Sequence, residues 1–246
     1  ILISQSNESA DIEFTNLKAM EEKMVDGIII SVTQDTRATE YFKTLREKNL
    51  PIVFFNRIAP EVSAYNVIID DYKWAFTAVE HLIKEGYKRI AHLAGPENLF
   101  LSKERKRGYI DALKKYGYPI EEELIIPAGI LMESGITAAY SILEMPNKPD
   151  AIFAVNDPAA IGAMKTLQKK GMVIPDDIAF VGFSESQKAL IIEPNLTSVE
   201  QPTFEMGKVT AELLLEQIKN NSEETKHSKT IILDAKLNIR ESSLKK

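Results

Sequence analysis

The residues of this sequence best suited to grip a small molecule fall at one kind of place, directly after short apolar runs: Ser4 to Asn7, Ser31 to Gln34, Asn56 and Arg57, Asp70 and Asp71, Asn156 and Asp157, and Ser184 to Ser186. If those runs are strands of open parallel sheets, this is where ligands bind, because loops and helix N-termini bring unsatisfied donors together beyond the carboxyl ends of the strands. Asn, Asp and Arg can each engage two neighbouring hydroxyls, so the set suits a neutral polyhydroxylated ligand. Phe55, Phe153 and Phe183 lie close to the same exits. Such a ring either stacks on the C–H face of a sugar or fills the core. The exit residues also have a second use, as helix caps and turn formers.

Other chemistries find less support. Gly182-Phe183-Ser184-Glu185-Ser186 follows a strand-like run and is similar to a nucleophile elbow, but the second glycine of G-x-S-x-G is missing. A Ser, acid, His order can be drawn only through a residue such as Glu193 and the distant His227, so a serine hydrolase is a remote alternative and no catalytic residue is expected. Gly95-Pro96-Glu97-Asn98 lacks phosphate-loop spacing, and neither G-x-G-x-x-G nor a Walker pattern occurs. The sequence has no cysteine, and His81, His92 and His227 are far apart, so neither a metal nor another cofactor is expected. The absence of cysteine fits a reducing cytoplasm. A formal charge of −6 argues against a surface devoted to nucleic acid. The densest basic run, Lys103 to Arg107, is interrupted only by Glu104. It reads either as a solvated helix face or as a helix with one residue turned into a site. The acid run Glu121 to Glu123 reads as a solvated turn, and the Asn-x-Ser/Thr triplets at Asn7, Asn195 and Asn221 as chance matches.

The elements that must position these residues follow an alternation of apolar strand-like runs and amphipathic helical stretches, the pattern of βαβ units and parallel sheets. With 246 residues, 44% of them apolar, the chain suits one large α/β unit or two lobes. Strands are expected over Ile1 to Ile3, Gly27 to Val32, Ile52 to Phe55, Arg89 to Leu93, Ala151 to Val155, Ile178 to Phe183, Thr197 to Gln201 and Thr230 to Arg240. Helices are expected over Asp11 to Met24 and Thr36 to Lys48, and further stripes begin at Ala75, Tyr109, Ala160 and Met206. Gly86, Gly117 and Gly171 are placed to end helices, Ser134 to cap one, and Asp157 to cap another with Pro158 at its first position. Residues 220 to 229 read as a polar loop. No window approaches the roughly 20 apolar residues of a membrane span, and ILISQSNES carries no export signal. The chain opens inside a strand with nothing ahead of it, whereas a doubly wound sheet starts in its interior, so a lost N-terminal segment is expected.

Longer stretches carry a family resemblance. Val25-Asp26-Gly27-Ile28-Ile29-Ile30, Pro51-Ile52-Val53-Phe54-Phe55-Asn56-Arg57 and the run from Glu80 to Ala91 resemble, in order, landmarks of the LacI/GalR transcription regulators. Gly95-Pro96, Arg105-x-x-Gly108-Tyr109, the runs 149–157 and 174–183, Leu196 to Pro202 and the closing Arg240-Glu241-Ser242 continue the series. The resemblance implies two Rossmann-like lobes of the type I periplasmic-binding-protein kind. They are joined by three crossings, near Ile69, near Gln201 and in the loop before Lys229. One lobe is then residues 1–69 plus 202–226 and the other 70–201 plus 227–246. The resemblance also implies that the family's DNA-binding helix-turn-helix head, its hinge helix and the opening strand and helix of the first lobe are missing from this chain. By position, effector contacts transfer to Arg105, Asn156, Asp157, Asn56 and Phe153. Ser184 stands where the family usually has an Asp that accepts ligand hydroxyls, and Asn56 replaces the Asp of a D-R pair, which suggests a different or anionic effector or a shifted binding mode. The implied role is that of a cytoplasmic, non-enzymatic homodimer. It binds a sugar or sugar derivative between the lobes and thereby controls operator binding through the missing head, without a membrane partner. The alternative is an exported, monomeric periplasmic sugar-binding protein. On this reading Arg105→Ala weakens effector binding and leaves the fold intact.

Overall fold

The computed structural model describes residues 1–219 and 228–245; His227 and Asn221, and most of the expected polar loop, lie outside them. The first half of the chain runs α1 (Ala10–Glu22), β1 (Ile28–Ile30), α2 (Thr39–Glu47), β2 (Ile52–Phe55), β3 (Tyr65–Ile69), α3 (Asp71–Lys84), β4 (Ile90–Ala94), α4 (Phe100–Lys115) and β5 (Ile125–Pro127). The second half runs α5 (Met132–Glu144), β6 (Ala151–Ala154), α6 (Asp157–Lys169), β7 (Ala179–Ser184), β8 (Thr197–Glu200), α7 (Thr203–Lys219), β9 (Lys229–Leu233) and β10 (Lys236–Asn238). Two compact units result, one from Ile1–Ile69, Asn98–Phe100 and Pro202–Asp234, the other from Asp70–Glu97, Leu101–Gln201 and Ala235–Lys246.

The first unit holds a parallel sheet in the order β1-β2-β3-β9. The second holds six strands in the order β10-β8-β7-β6-β4-β5, parallel except where β10 meets β8. Strands covered on both faces read as continuous apolar runs, and β4 and β6 are buried at every position. Alternation divides their side chains. Ile152, Ala154 and Phe180 join Ala138, Ile142, Ala160 and Leu167 of α5 and α6 in one cluster. On the other face Phe153 stacks on His92, and His92 on Tyr109 of α4.

Local chemistry sets the helix boundaries. Asp70 caps α3 by accepting from Lys73 N at 2.8 Å, and Gly86, Gly117 and Gly171 follow helices in the left-handed region, where glycine is tolerated. Asn156, not Asp157, is the N-cap of α6, which moves Pro158 to the second helical position; α5 starts after Leu131 with no side-chain cap, so Ser134 does not serve.

Three further expectations change. Ile1 to Ile3 form no strand and stay exposed, because no neighbour bonds them. The run Thr230 to Arg240 is two strands in different sheets: β9 pairs with β3 and β10 with β8. The chain therefore returns to the second unit at Asp234–Ala235, later than the expected crossing before Lys229.

Helices α5 and α6 pack through glycine. A Cβ at Gly162 would collide with the carbonyl of Met132, and one at Gly135 with the carbonyl of Ala159. Gly162→Ala is expected to lower the unfolding free energy by about 1–3 kcal/mol through overpacking. Gly207→Ala in α7, where the added methyl meets nothing, should raise it by roughly 0.5–1 kcal/mol from helix propensity. Urea unfolding of the two variants checks both signs.

Candidate functional site

The exits of β6 and β7 in the second unit carry two of the six polar groups singled out from the sequence, Asn156 with Asp157 and Ser184 to Ser186. Asp157 is the centre of this edge and is fully buried. Its Oδ1 accepts from Ser198 Oγ and its Oδ2 from the backbone N–H of Ser186, both at 2.6 Å. Glycine at 182 makes room for it, since a Cβ there would run into Asp157 Oδ1. The carboxylate thereby holds a loop in which Ser184 and Glu185 both have positive φ, +109° and +50°. Burial pushes the Asp157 carboxyl up to about 6, with the hydrogen bonds from Ser198 and Ser186 opposing it.

Arg105 reaches the same edge from α4, on the helix face that also carries Leu101, Gly108, Tyr109 and Ala112. Its Nε donates to Asp71 Oδ1 at 2.8 Å and Nη2 lies 2.7 Å from the same oxygen. Nη1 donates to the Val155 carbonyl at 2.6 Å, just before Asn156, and the guanidinium sits 3.6 Å from the centre of the Phe183 ring. Both side chains of the pair are nearly inaccessible, at 3% and 4% exposure. Burial lifts the Asp71 carboxyl above its ordinary value, with Arg105 pulling the other way.

Asn156 is half-buried; its Oδ1 accepts from Ala159 N at 3.0 Å and its Nδ2 donates to the Ile130 carbonyl at 2.8 Å. Ser184 is also half-buried. Phe153 is fully buried, stacked 5.0 Å from His92, so it fills the core of the sheet. Asn56 belongs to the first unit, where it leaves β2 with φ +56° and donates its backbone N–H to the Val67 carbonyl. The structure thus brings Arg105, Asn156, Asp157 and Ser184 to one sheet edge, while Phe153 lies beneath it.

Four groups at this edge escaped the sequence reading as partners: Asp71, the Val155 carbonyl, Ser186 and Ser198. The pairing of Arg105 with Asp71 had a signal, since Arg105 follows Leu101 by one helical turn on the buried face; the hydrogen bonds to Asp157 depend on a loop conformation that spacing does not reveal. Among the described residues no group of His, Asp or Glu is arranged to hold a metal ion, and no helix is long and apolar enough to cross a membrane.

The sequence matches the family described as periplasmic binding proteins and sugar binding domain of LacI family over residues 1–241. It is 34% identical over 219 residues to the probable HTH-type transcriptional repressor ExuR of Bacillus subtilis, a match covering 89% of this chain and 65% of that protein. It is 31% identical to the HTH-type transcriptional repressor CytR of Escherichia coli over 89% of this chain and 64% of that repressor. The chain therefore spans just under two thirds of the length of these curated relatives. Among solved structures, the transcriptional regulator CelR–cellobiose complex superposes with a TM-score of 0.86 at 30% identity, covering 95% of this chain and 71% of that one.

Two outcomes follow from the buried charges. Removing Arg105 strands Asp71 without its counter-ion, so Arg105→Ala should lose about 3–5 kcal/mol of stability rather than leave the fold intact, and Arg105→Met with Asp71→Leu should recover most of it; denaturant midpoints decide. For Asp157, the folded state binds the proton more tightly than the unfolded state, so its contribution to stability is present below about pH 4 and lost as pH rises through about 6. His92, held down to about 4 by burial, has the opposite slope over the same range. The difference in stability between the wild type and Asp157→Asn isolates the carboxyl, and it should shift against the wild type by on the order of 1–3 kcal/mol between pH 4 and 7.

Proposed function

The chain belongs to the LacI family of periplasmic-binding-protein-like sugar-binding domains, and from that premise we propose that it is the effector-sensing part of a bacterial transcriptional regulator, taking a carbohydrate-like ligand at the carboxyl ends of β6 and β7. The observation that carries this reading is the convergence of Arg105, Asn156, Asp157 and Ser184 at one sheet edge. Arg105, Asn156 and Asp157 are already fixed by protein hydrogen bonds, so the half-buried Asn156 and Ser184 meet a ligand on a frame that is in place. The cellobiose bound to the similar CelR supports a sugar as the ligand class.

A ligand that binds one conformation of the chain more tightly shifts the population toward it, and linkage makes any effect on DNA affinity reciprocal. In this proposal the regulator acts in the cytoplasm as a homodimer and reaches its operator through a helix-turn-helix head outside these residues. The names of ExuR and CytR, both HTH-type repressors, favour this over a transport-associated sugar-binding protein.

Ser184 offers the cleanest test, because its backbone stays paired with β8 while its side chain makes no hydrogen bond among the described residues. A thermal-shift screen of mono- and disaccharides, cellobiose and sugar acids should find a ligand that raises the melting temperature. Ser184→Ala should then weaken that ligand at least fivefold by calorimetry with an unchanged melting temperature of the free chain. A screen without a hit, or an affinity indifferent to Ser184, removes this edge from ligand binding.

A further inference from the structure

The basic run of α4 divides between two faces of the helix. Arg105 turns inward, whereas Lys103, Lys106, Arg107 and, two turns on, Lys114 line a cavity of about 730 Å³ beside β4 and the edge strand β5. Every lining residue belongs to the second unit. The floor is apolar, with Ala94, Ile110, Ile125 and Pro127, and the two acids in the wall are Glu97 and Asp111. Four cations against two acids give the lining a net charge of +2 (4 − 2) in a chain of net charge −6.

The pairing within the wall is loose. Lys106 lies 3.2 Å from Glu97, itself 86% exposed, and Lys114 lies 3.7 Å from Asp111. Arg107 pairs with Glu104 at 2.6 Å and lies over the Tyr72 ring. Each pair has at least one partner well exposed to solvent, and such pairs contribute little. A second observation points to an absent ligand. Ser102 is 97% buried in the same wall (100 − 3), and its Oγ has no hydrogen-bond partner among the described residues. A buried hydroxyl without a partner is unfavourable until an acceptor reaches it.

We propose that this cavity is a second ligand site, separate from the edge at β6 and β7, that takes a small organic anion: a phosphate or carboxylate head between Ser102, Lys103 and Lys106, and an apolar body against Ile110 and Ile125. Successive helical turns set the cations along one line, and the sheet edge supplies the apolar wall that free phosphate does not use. The anionic head supplies acceptors for the Ser102 hydroxyl and for ammonium groups now held by exposed carboxylates.

Phenyl phosphate and benzoate are suitable probes, with phenol as the uncharged control. Titrated into the isotopically labelled full chain at low ionic strength, one or both anions should shift the amide resonances of Ser102, Lys103 and Lys106 saturably, and phenol should not. Saturation by phenyl phosphate alone assigns a phosphate head, and by benzoate alone a carboxylate. Lys103→Glu with Lys106→Glu should weaken binding at least tenfold, and Ser102→Ala about threefold; if the double reversal fails to fold, Lys103→Gln with Lys114→Gln replaces it, with a loss of at least threefold. Shifts that do not saturate, that sodium chloride reproduces at matched ionic strength, or that centre on Asn156, Asp157 and Ser184 overturn the site. Because none of these substitutions touches the β6–β7 edge, retention of sugar binding in the lysine variants separates the two proposals.

Discussion

A single buried carboxylate organises the edge of the larger sheet. Asp157 has no solvent to turn to, so its two oxygens must be satisfied from the protein, and Ser198 and the Ser186 amide do this from two different directions. Each partner lies in a different element from Asp157. The bond to Ser198 ties the start of α6 to β8, and the bond to Ser186 folds the chain after β7 back over the strand ends. Gly182 is the condition for both, because any side chain there would occupy the position of Oδ1. What reads in the sequence as one polar residue after a strand is, in the folded chain, the joint between α6, β7 and β8.

The Arg105–Asp71 pair solves a related problem at greater risk. Burying two charges is expensive, and a well-packed apolar pair of similar volume is often no less stable. Here the guanidinium also lies 3.6 Å from the centre of the Phe183 ring and donates to the Val155 carbonyl, so its position is set from several sides. Asp71, at the first turn of α3, gains from the helix N-terminus as well as from Arg105. The arrangement favours rigidity of the strand ends over net stability, which suits an edge whose polar groups must be held in place.

The fold class was legible because parallel strands buried on both faces leave long apolar runs, as in β4 and β6. What escaped has physical reasons. Strand β3 follows an irregular stretch and β5 is three residues closed by Pro127, too short to show a period. The run 230–240 keeps a strand-like character through Asp234 and Ala235, yet the backbone changes sheets there, and pairing partners are not encoded in periodicity. For the site, spacing after strands located Asn156, Asp157 and Ser184, and resemblance added Arg105. Neither distinguishes a side chain offered to a ligand from one already bonded within the fold. Phe153 illustrates the limit: one position earlier than the strand's last residue, it points to the interior against His92.

The loop after β7 is fixed from a second side by the end of the chain. Glu185, in the left-handed region, pairs with Arg240 and accepts from Asn238, while its backbone N–H donates to Ser198 Oγ at 3.1 Å. A few residues on, Ser242 Oγ donates to the Phe180 carbonyl and accepts from Thr197 N, and Ser243 joins Thr197 to His81. Positive φ at two consecutive non-glycine residues is unfavourable by on the order of 1–3 kcal/mol each, and persists only where surrounding contacts over-determine it. The closing Arg-Glu-Ser segment therefore shapes the loop after β7 as much as the strand exits do: Arg240 holds Glu185, Ser242 holds the two strands that flank the loop, and Ser184 keeps its unusual backbone because both ends of the loop are bound.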